Sequence, residues 1–194
     1  LPVTIGGCMT ISLIGETEFR PILYALMKIC QSFGDVLVVS ENPQLKRFIE
    51  ESEEIPNYVS GYFQNTFIVI TDKMPDEAQL DIGYEIDDYE YVIYVNKLDP
   101  TSDLVLYIQG CEMTPWEENM LGYMEEGTDY HTIHFGFGKN NIPYTANMWK
   151  NCEICEAKRV LIQIDGKISA ALVKKLSPLM QIPEKTLQKA VSAK

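Results

Sequence analysis

The chain has 194 residues, enough for one domain, and its 46% hydrophobic and 23% charged residues are ordinary globular usage. A formal net charge of −12 argues against a dedicated nucleic-acid binder, which needs clustered Lys and Arg to neutralise phosphates. Five cysteines, an odd number, do not make a secreted disulfide framework and read as the reduced thiols of a cytoplasmic protein, and no apolar run reaches the roughly 20 residues of a membrane span.

Residues 1–8 lack a basic segment followed by an apolar one, so they read as a flexible leader or an expression remnant ahead of a single domain over 9–194. Residues 9–14, Met-Thr-Ile-Ser-Leu-Ile, form a short apolar run of the kind that becomes a buried strand. A loop follows, and Pro21 sits near the first turn of a predicted helix whose Ile22, Leu23, Leu26, Ile29 and Cys30 recur at helical spacing up to Gly34. Residues 35–40 predict a second strand, and Asn42-Pro43 opens a helix through Leu45, Phe48 and Ile49. The polar stretch 51–65 reads as a surface connection.

Further strands are predicted over 66–71, 91–95 and 103–108. Thr114-Pro115-Trp116-Glu117 reads as a helix start, with Thr114 as N-cap, Pro115 at the first helical position and Glu117 closing a capping box. The alternation over 130–135 suits a sixth strand near the sheet edge, 145–157 reads as helix, and 160–164 as a seventh strand. Two short basic helices, broken around Pro183, finish the chain over about 168–194. Strands alternating with helices predict an α/β fold, a three-layer sandwich around a mostly parallel sheet of about seven strands.

Charge is divided along the chain. From Lys158 onward, Lys158, Arg159, Lys167, Lys174, Lys175, Lys185, Lys189 and Lys194 meet only Asp165 and Glu184, whereas the preceding chain is strongly acidic. Such a basic tail suits an acidic partner or a membrane surface, and equally a solvated helix face. Tyr58, Tyr62 and Phe63, with Trp116, Tyr123 and Trp149, are candidates for exposed aromatic contacts to other proteins or for half-buried packing.

In an open parallel sheet, ligands bind beyond the carboxyl ends of the strands, so the first strand–loop–helix is the place to look for chemistry. A phosphate cradle there needs glycines for close backbone approach and a lysine or a helix N-terminus to meet the charge. The loop is Gly15-Glu16-Thr17-Glu18-Phe19-Arg20, with one glycine, no lysine and two carboxylates that repel a polyphosphate. No bound cofactor is expected. A different ligand site at the carboxyl edge would require Lys97, Lys73 or Lys139 to converge there.

Two later segments carry a family resemblance. Asp87-Asp88-Tyr89-Glu90-Tyr91-Val92-Ile93-Tyr94-Val95-Asn96 precedes Asp103-Leu104-Val105-Leu106-Tyr107-Ile108 and the helix opening at Thr114-Pro115. Over roughly residues 9–135 this resembles the deviant Walker A P-loop ATPases of the ParA/MinD type, in which a strand of similar pattern precedes a second one and a helix. That family has two lysines flanking the glycines of its loop and an aspartate near the end of the fourth strand. This chain has neither lysine, and Val95 or Asn96 stands at the aspartate position. The resemblance implies a P-loop-ATPase-like fold that has lost its ATPase and works, as pilus-assembly, partition and division-site relatives do, as a positioning or adaptor protein, often dimeric. A phage or plasmid accessory module is an alternative, and a nucleotide- or small-ligand-binding enzyme or sensor another.

Cys152-Glu-Ile-Cys155 falls within the predicted 145–157 helix rather than at a helix N-terminus, where a reactive thiolate would be stabilised. His131 and His134 lie three apart on a predicted strand and point to opposite faces, so no zinc site is expected from them with Cys111. A Gly-x-Ser-x-Gly elbow is missing, and two histidines supply a triad poorly.

Overall fold

A computed structural model describes residues 8–16, 19–49, 51–55, 58–71, 86–136, 141–142, 149–154, 160–164 and 166–193. The first described strand is β1 (Met9–Ile14), inside the sheet. The others are β2 (Val36–Ser40), β3 (Glu51–Ile55), β4 (Tyr58–Phe63), β5 (Thr66–Thr71), β6 (Tyr91–Val95), β7 (Leu104–Gln109) and β8 (His131–His134). They form an eight-stranded sheet in the order β3-β4-β5-β2-β6-β1-β7-β8. From β5 to β8 every pairing is parallel, and β4 and β3 extend the sheet as an antiparallel meander. The sheet is mostly parallel and flanked by helices, as expected for an α/β sandwich.

The parallel strands β2, β5, β6 and β7 are apolar on both faces because both faces are covered. On one face Ile11, Leu13, Val36, Val38, Ile93, Leu106 and Ile108 join one large cluster with helix α1 (Phe19–Cys30). Helices α3 (Gly166–Met180) and α4 (Glu184–Ser192) belong to the same cluster through Leu172, Leu176, Leu187 and Val191. Helix α1 is apolar nearly all round, and every residue in it except Arg20 is buried, as befits a helix enclosed by sheet and other helices. The opposite face carries Leu37, Val39, Val92 and Tyr94 in one cluster, and Ile14, Val105 and Tyr107 in another with Met124 of helix α2 (Pro115–Glu125).

Strand order dictates which connections cross the sheet. The chain passes from β1 through α1 to β2 on the first face, and from β7 through α2 to β8 on the other, as right-handed crossovers require. Between β6 and β7 it must stride over β1, with residues 96–103 alone. A parallel crossover ordinarily takes roughly a dozen residues or more. Side chains of β1 hold the short bridge down. The buried Ser12 hydroxyl accepts from the Asp99 N–H at 3.1 Å and pairs with the Ser102 hydroxyl at 2.8 Å, while the Thr10 N–H donates to Asp103 Oδ2 at 2.8 Å.

Several sequence expectations are corrected. Residues 51–65 are not a plain connection but contain β3 and β4, whose backbone groups are satisfied by the meander. The helix expected after Pro43 is a single 3₁₀ stretch, Pro43–Arg47, with Asn42 accepting from the Gln44 N–H. Within 145–157, residues Trp149–Ile154 form strand β9, which pairs antiparallel with β10 (Val160–Ile164), so the predicted seventh strand lies in this separate hairpin. The C-terminal helices and their break before Glu184 are as expected.

Of the two roles open to Phe63, the structure shows packing. It is 7% exposed and packs its ring against Tyr24 and Phe48, each centroid 5.8 Å away. Beneath the same meander Lys28 is 2% exposed, and its ammonium donates to Gln64 Oε1 at 2.8 Å, while burial pulls its pKa below the usual lysine value. Gln64 adopts φ 52° in the β4–β5 turn, and its carbonyl also accepts from Gln31, so the end of α1 is tied to the turn. We expect Phe63→Ala to cost about 3–5 kcal/mol in a urea titration, and Tyr62→Ala, at a side chain 47% exposed, to cost far less.

Candidate functional site at the carboxyl edge of the sheet

Neighbouring strands β1 and β7 send their following helices to opposite faces, which opens a switch point beyond their carboxyl ends. Three loops meet there: Gly15–Glu16 after β1, Asn96–Lys97 after β6, and Gly110–Thr114 after β7. Gly15 is buried with φ +157°, and a Cβ on it would stand 2.9 Å from Ile108 Cβ and 3.1 Å from Ile108 O. The backbone therefore approaches β7 closely at a point where only glycine fits.

In a phosphate cradle the N–H groups of this loop would face the ligand. Here the first two, those of Gly15 and Glu16, are committed within the chain. The Gly15 N–H donates to Asn96 Oδ1 at 2.9 Å. Asn96 sits at φ 62°, a left-handed position that asparagine tolerates, immediately after β6 where the resemblance led one to look for an aspartate. The next donor, the Glu16 N–H, reaches Glu117 Oε1 at 2.8 Å.

Glu117 is the centre of the arrangement. Its carboxylate is 1% exposed, and its second oxygen accepts the Thr114 N–H at 2.8 Å, while the Thr114 hydroxyl accepts the Glu117 N–H at 3.1 Å. This is the reciprocal capping box predicted at the start of α2. One carboxylate thus caps its own helix and receives a donor from a loop on the far side of the switch point. The Thr114 hydroxyl in turn donates a short hydrogen bond to the Glu16 carboxylate. Two acids and a hydroxyl occupy the space where a polyphosphate would need cations.

Of the loop residues singled out in the sequence, Gly15 and Glu16 are placed here, Arg20 is half-buried in the first turn of α1, and Thr17 and Glu18 lie outside the described residues. Lys97 lies with its ammonium 4.7 Å from the centroid of the Tyr94 ring, while Lys73 and Lys139 lie outside the described residues. Tyr107, in the cluster under α2, buries a hydroxyl that has no hydrogen-bond partner among the described residues; burial and the nearby Glu117 carboxylate raise its pKa. Asn96 and the second role of Glu117 escaped sequence reasoning, although Asn96 was visible as the residue standing in for an acid.

The remaining candidates are scattered. Tyr62 is exposed and its ring lies tilted against Phe67, the Tyr58 side chain lies outside the described residues, and Tyr123 is 67% exposed on α2. Lys174, Lys185 and Lys189 are exposed and Lys175 is half-buried on α3 and α4. His131 and His134 are both exposed on the edge strand β8. Cys152 lies in β9 rather than in a helix, and Cys155 falls outside the described residues. Among the described residues no cluster of three or more His, Cys, Asp or Glu is placed to hold a metal ion, and no helix is long and apolar enough to cross a membrane. No protein-family model matches the chain, and no curated protein matches its sequence.

Two outcomes are expected. Glu117→Ala removes the cap and strands the Glu16 and Thr114 N–H groups, which should cost about 3 kcal/mol in urea unfolding, against about 0.5 kcal/mol or less for exposed Glu118→Ala. Cys30 is fully buried with its thiol pushed up to about 12 by burial, so iodoacetamide at neutral pH should alkylate exposed Cys111 and leave Cys30 untouched until the protein unfolds, as peptide mass mapping would show.

Proposed function

We propose that this protein is a nucleotide-free relative of the P-loop ATPases that works in the cytoplasm as a scaffold or adaptor, through contacts with other proteins in assembly or positioning. One observation carries the reading: the first two N–H donors of the loop after β1 are already satisfied by Asn96 and Glu117, and the loop adds the Glu16 carboxylate. A phosphate entering there would have to displace a buried carboxylate from its hydrogen bonds, which are worth about 1.5–3 kcal/mol each when charge-assisted. It would then face two negative charges with no lysine in the loop.

The absence of lysine from the loop supports the same conclusion from the sequence, and the resemblance to ParA/MinD-type proteins supplies the idea of an adaptor. The partners expected are proteins, a second copy among them.

A thermal-shift titration with ATP, ADP and GTP, each with and without Mg²⁺, tests the reading. Saturating a site at 100 times its Kd would stabilise the fold by about 2.7 kcal/mol, a clear rise in melting temperature. No rise at millimolar nucleotide is expected. A rise that requires Mg²⁺ would overturn the proposal and restore a nucleotide-binding role.

A further inference from the structure

The described charges of the outer helices are sorted by face. Helix α2, on one side of the sheet, exposes Glu118, Glu125 and the adjoining Glu126 and has no basic residue in its last turn. Helices α3 and α4, on the other side, expose Lys174, Lys185 and Lys189, with Glu184 the one acid within either helix. Lys185 and Lys189 are four residues apart and share a face, turned away from the buried Leu187 and Val191. Lys174 lies likewise opposite Leu172 and Leu176 on α3.

Helix α2 also carries three locally unfavourable features. Glu125 and Glu126 put negative charge at a helix C-terminus, where the macrodipole disfavours it by about 0.3–1 kcal/mol each. Gly122 lies mid-helix at a cost of about 1 kcal/mol relative to alanine, although a Cβ there would meet nothing within 4 Å. Beside it Tyr123 is 67% exposed. An acidic, notched surface with an exposed aromatic has the character of a contact that forms outside the chain, since rules broken locally are compensated at functional sites.

We propose that copies of this protein stack head to tail, the basic α3–α4 face of one seated on the acidic α2 face of the next. Because the two surfaces lie on opposite sides of the sheet, the contact is heterologous. It extends into a chain or closes into a ring rather than stopping at a two-fold dimer. The net charge of −12 opposes approach over distance, and ionic strength near 0.1 M screens that repulsion beyond about 10 Å while leaving contact pairs. This deepens the scaffold reading and rests on it for the idea that the protein acts through protein contacts.

The test uses the full chain in sedimentation velocity at about 0.1 M and about 1 M salt. Native protein should form species larger than a dimer as concentration rises, and lose them at the higher salt. A triple variant Glu118→Gln, Glu125→Gln, Glu126→Gln and a second, Lys174→Gln, Lys185→Gln, Lys189→Gln, should each remain monomeric at those concentrations, with native circular dichroism because all six side chains are exposed. Mixed in equal amounts, the two variants keep one intact interface between them and should give a dimer and nothing larger.

Native protein that stays monomeric, variants that associate normally, or a mixture that stays monomeric would overturn the stacking. So would a monomer that needs its three lysines to sediment with phosphatidylserine vesicles, which would assign the basic face to a membrane. Failure here leaves the nucleotide titration above unaffected, and a nucleotide response there overturns the scaffold reading whatever the sedimentation shows.

Discussion

The buried carboxylate of Glu117 holds together two elements that lie on opposite sides of the sheet. A charge taken out of water is tolerable only when its lone pairs meet donors, and Glu117 meets the N–H groups of Thr114 and Glu16. Without it the first turn of α2 would have an orphan donor and the loop after β1 would be free to reorganise. The close approach of Gly15 to Ile108 depends on the same loop path, as does the Asn96 contact that continues the line of hydrogen bonds across the strand ends. The loop is an internal joint whose Gly15 and Glu16 N–H groups are satisfied by Asn96 and Glu117.

Much of the fold was legible because its elements announce themselves locally. Runs such as Val36–Ser40 and Thr66–Thr71 are β-branched and apolar on both faces, which only a covered parallel strand permits. Thr114, Pro115 and Glu117 wrote out a capping box that forms as spelled. Strand β3 was missed because Glu51-Ser52-Glu53-Glu54 has poor strand propensity, and an outer strand carries charge that deters pairing with other chains. Strand β9 was missed because its structure depends on a partner further along the chain rather than on its own periodicity. The site was half legible. The missing lysine could be read directly, whereas the Glu16–Glu117 bond joins residues 101 positions apart and no local pattern points to it.

The distribution of charge has a similar two-level character. The sequence separates an acidic body from a basic end, and folding converts that separation along the chain into a separation in space, because the basic helices pack with α1 on one face while the acidic α2 covers part of the other. A protein of net charge −12 can in this way present a cationic surface without altering its overall repulsion of polyanions.

The place of β1 has a consequence for how the chain is made. Strand β1 precedes the other described strands in the chain and lies inside the sheet, yet its partners are residues 91–95 on one side and 104–107 on the other. At ribosomal rates of about 5–20 residues per second, Met9–Ile14 waits several seconds, its Ile11, Leu13 and Ile14 side chains uncovered and both its edges unpaired, before either neighbour emerges. In that interval helix α1, which packs on its Ile11 and Leu13 face, can shelter it in part, while the strand edges stay exposed and prone to aggregate until their partners arrive.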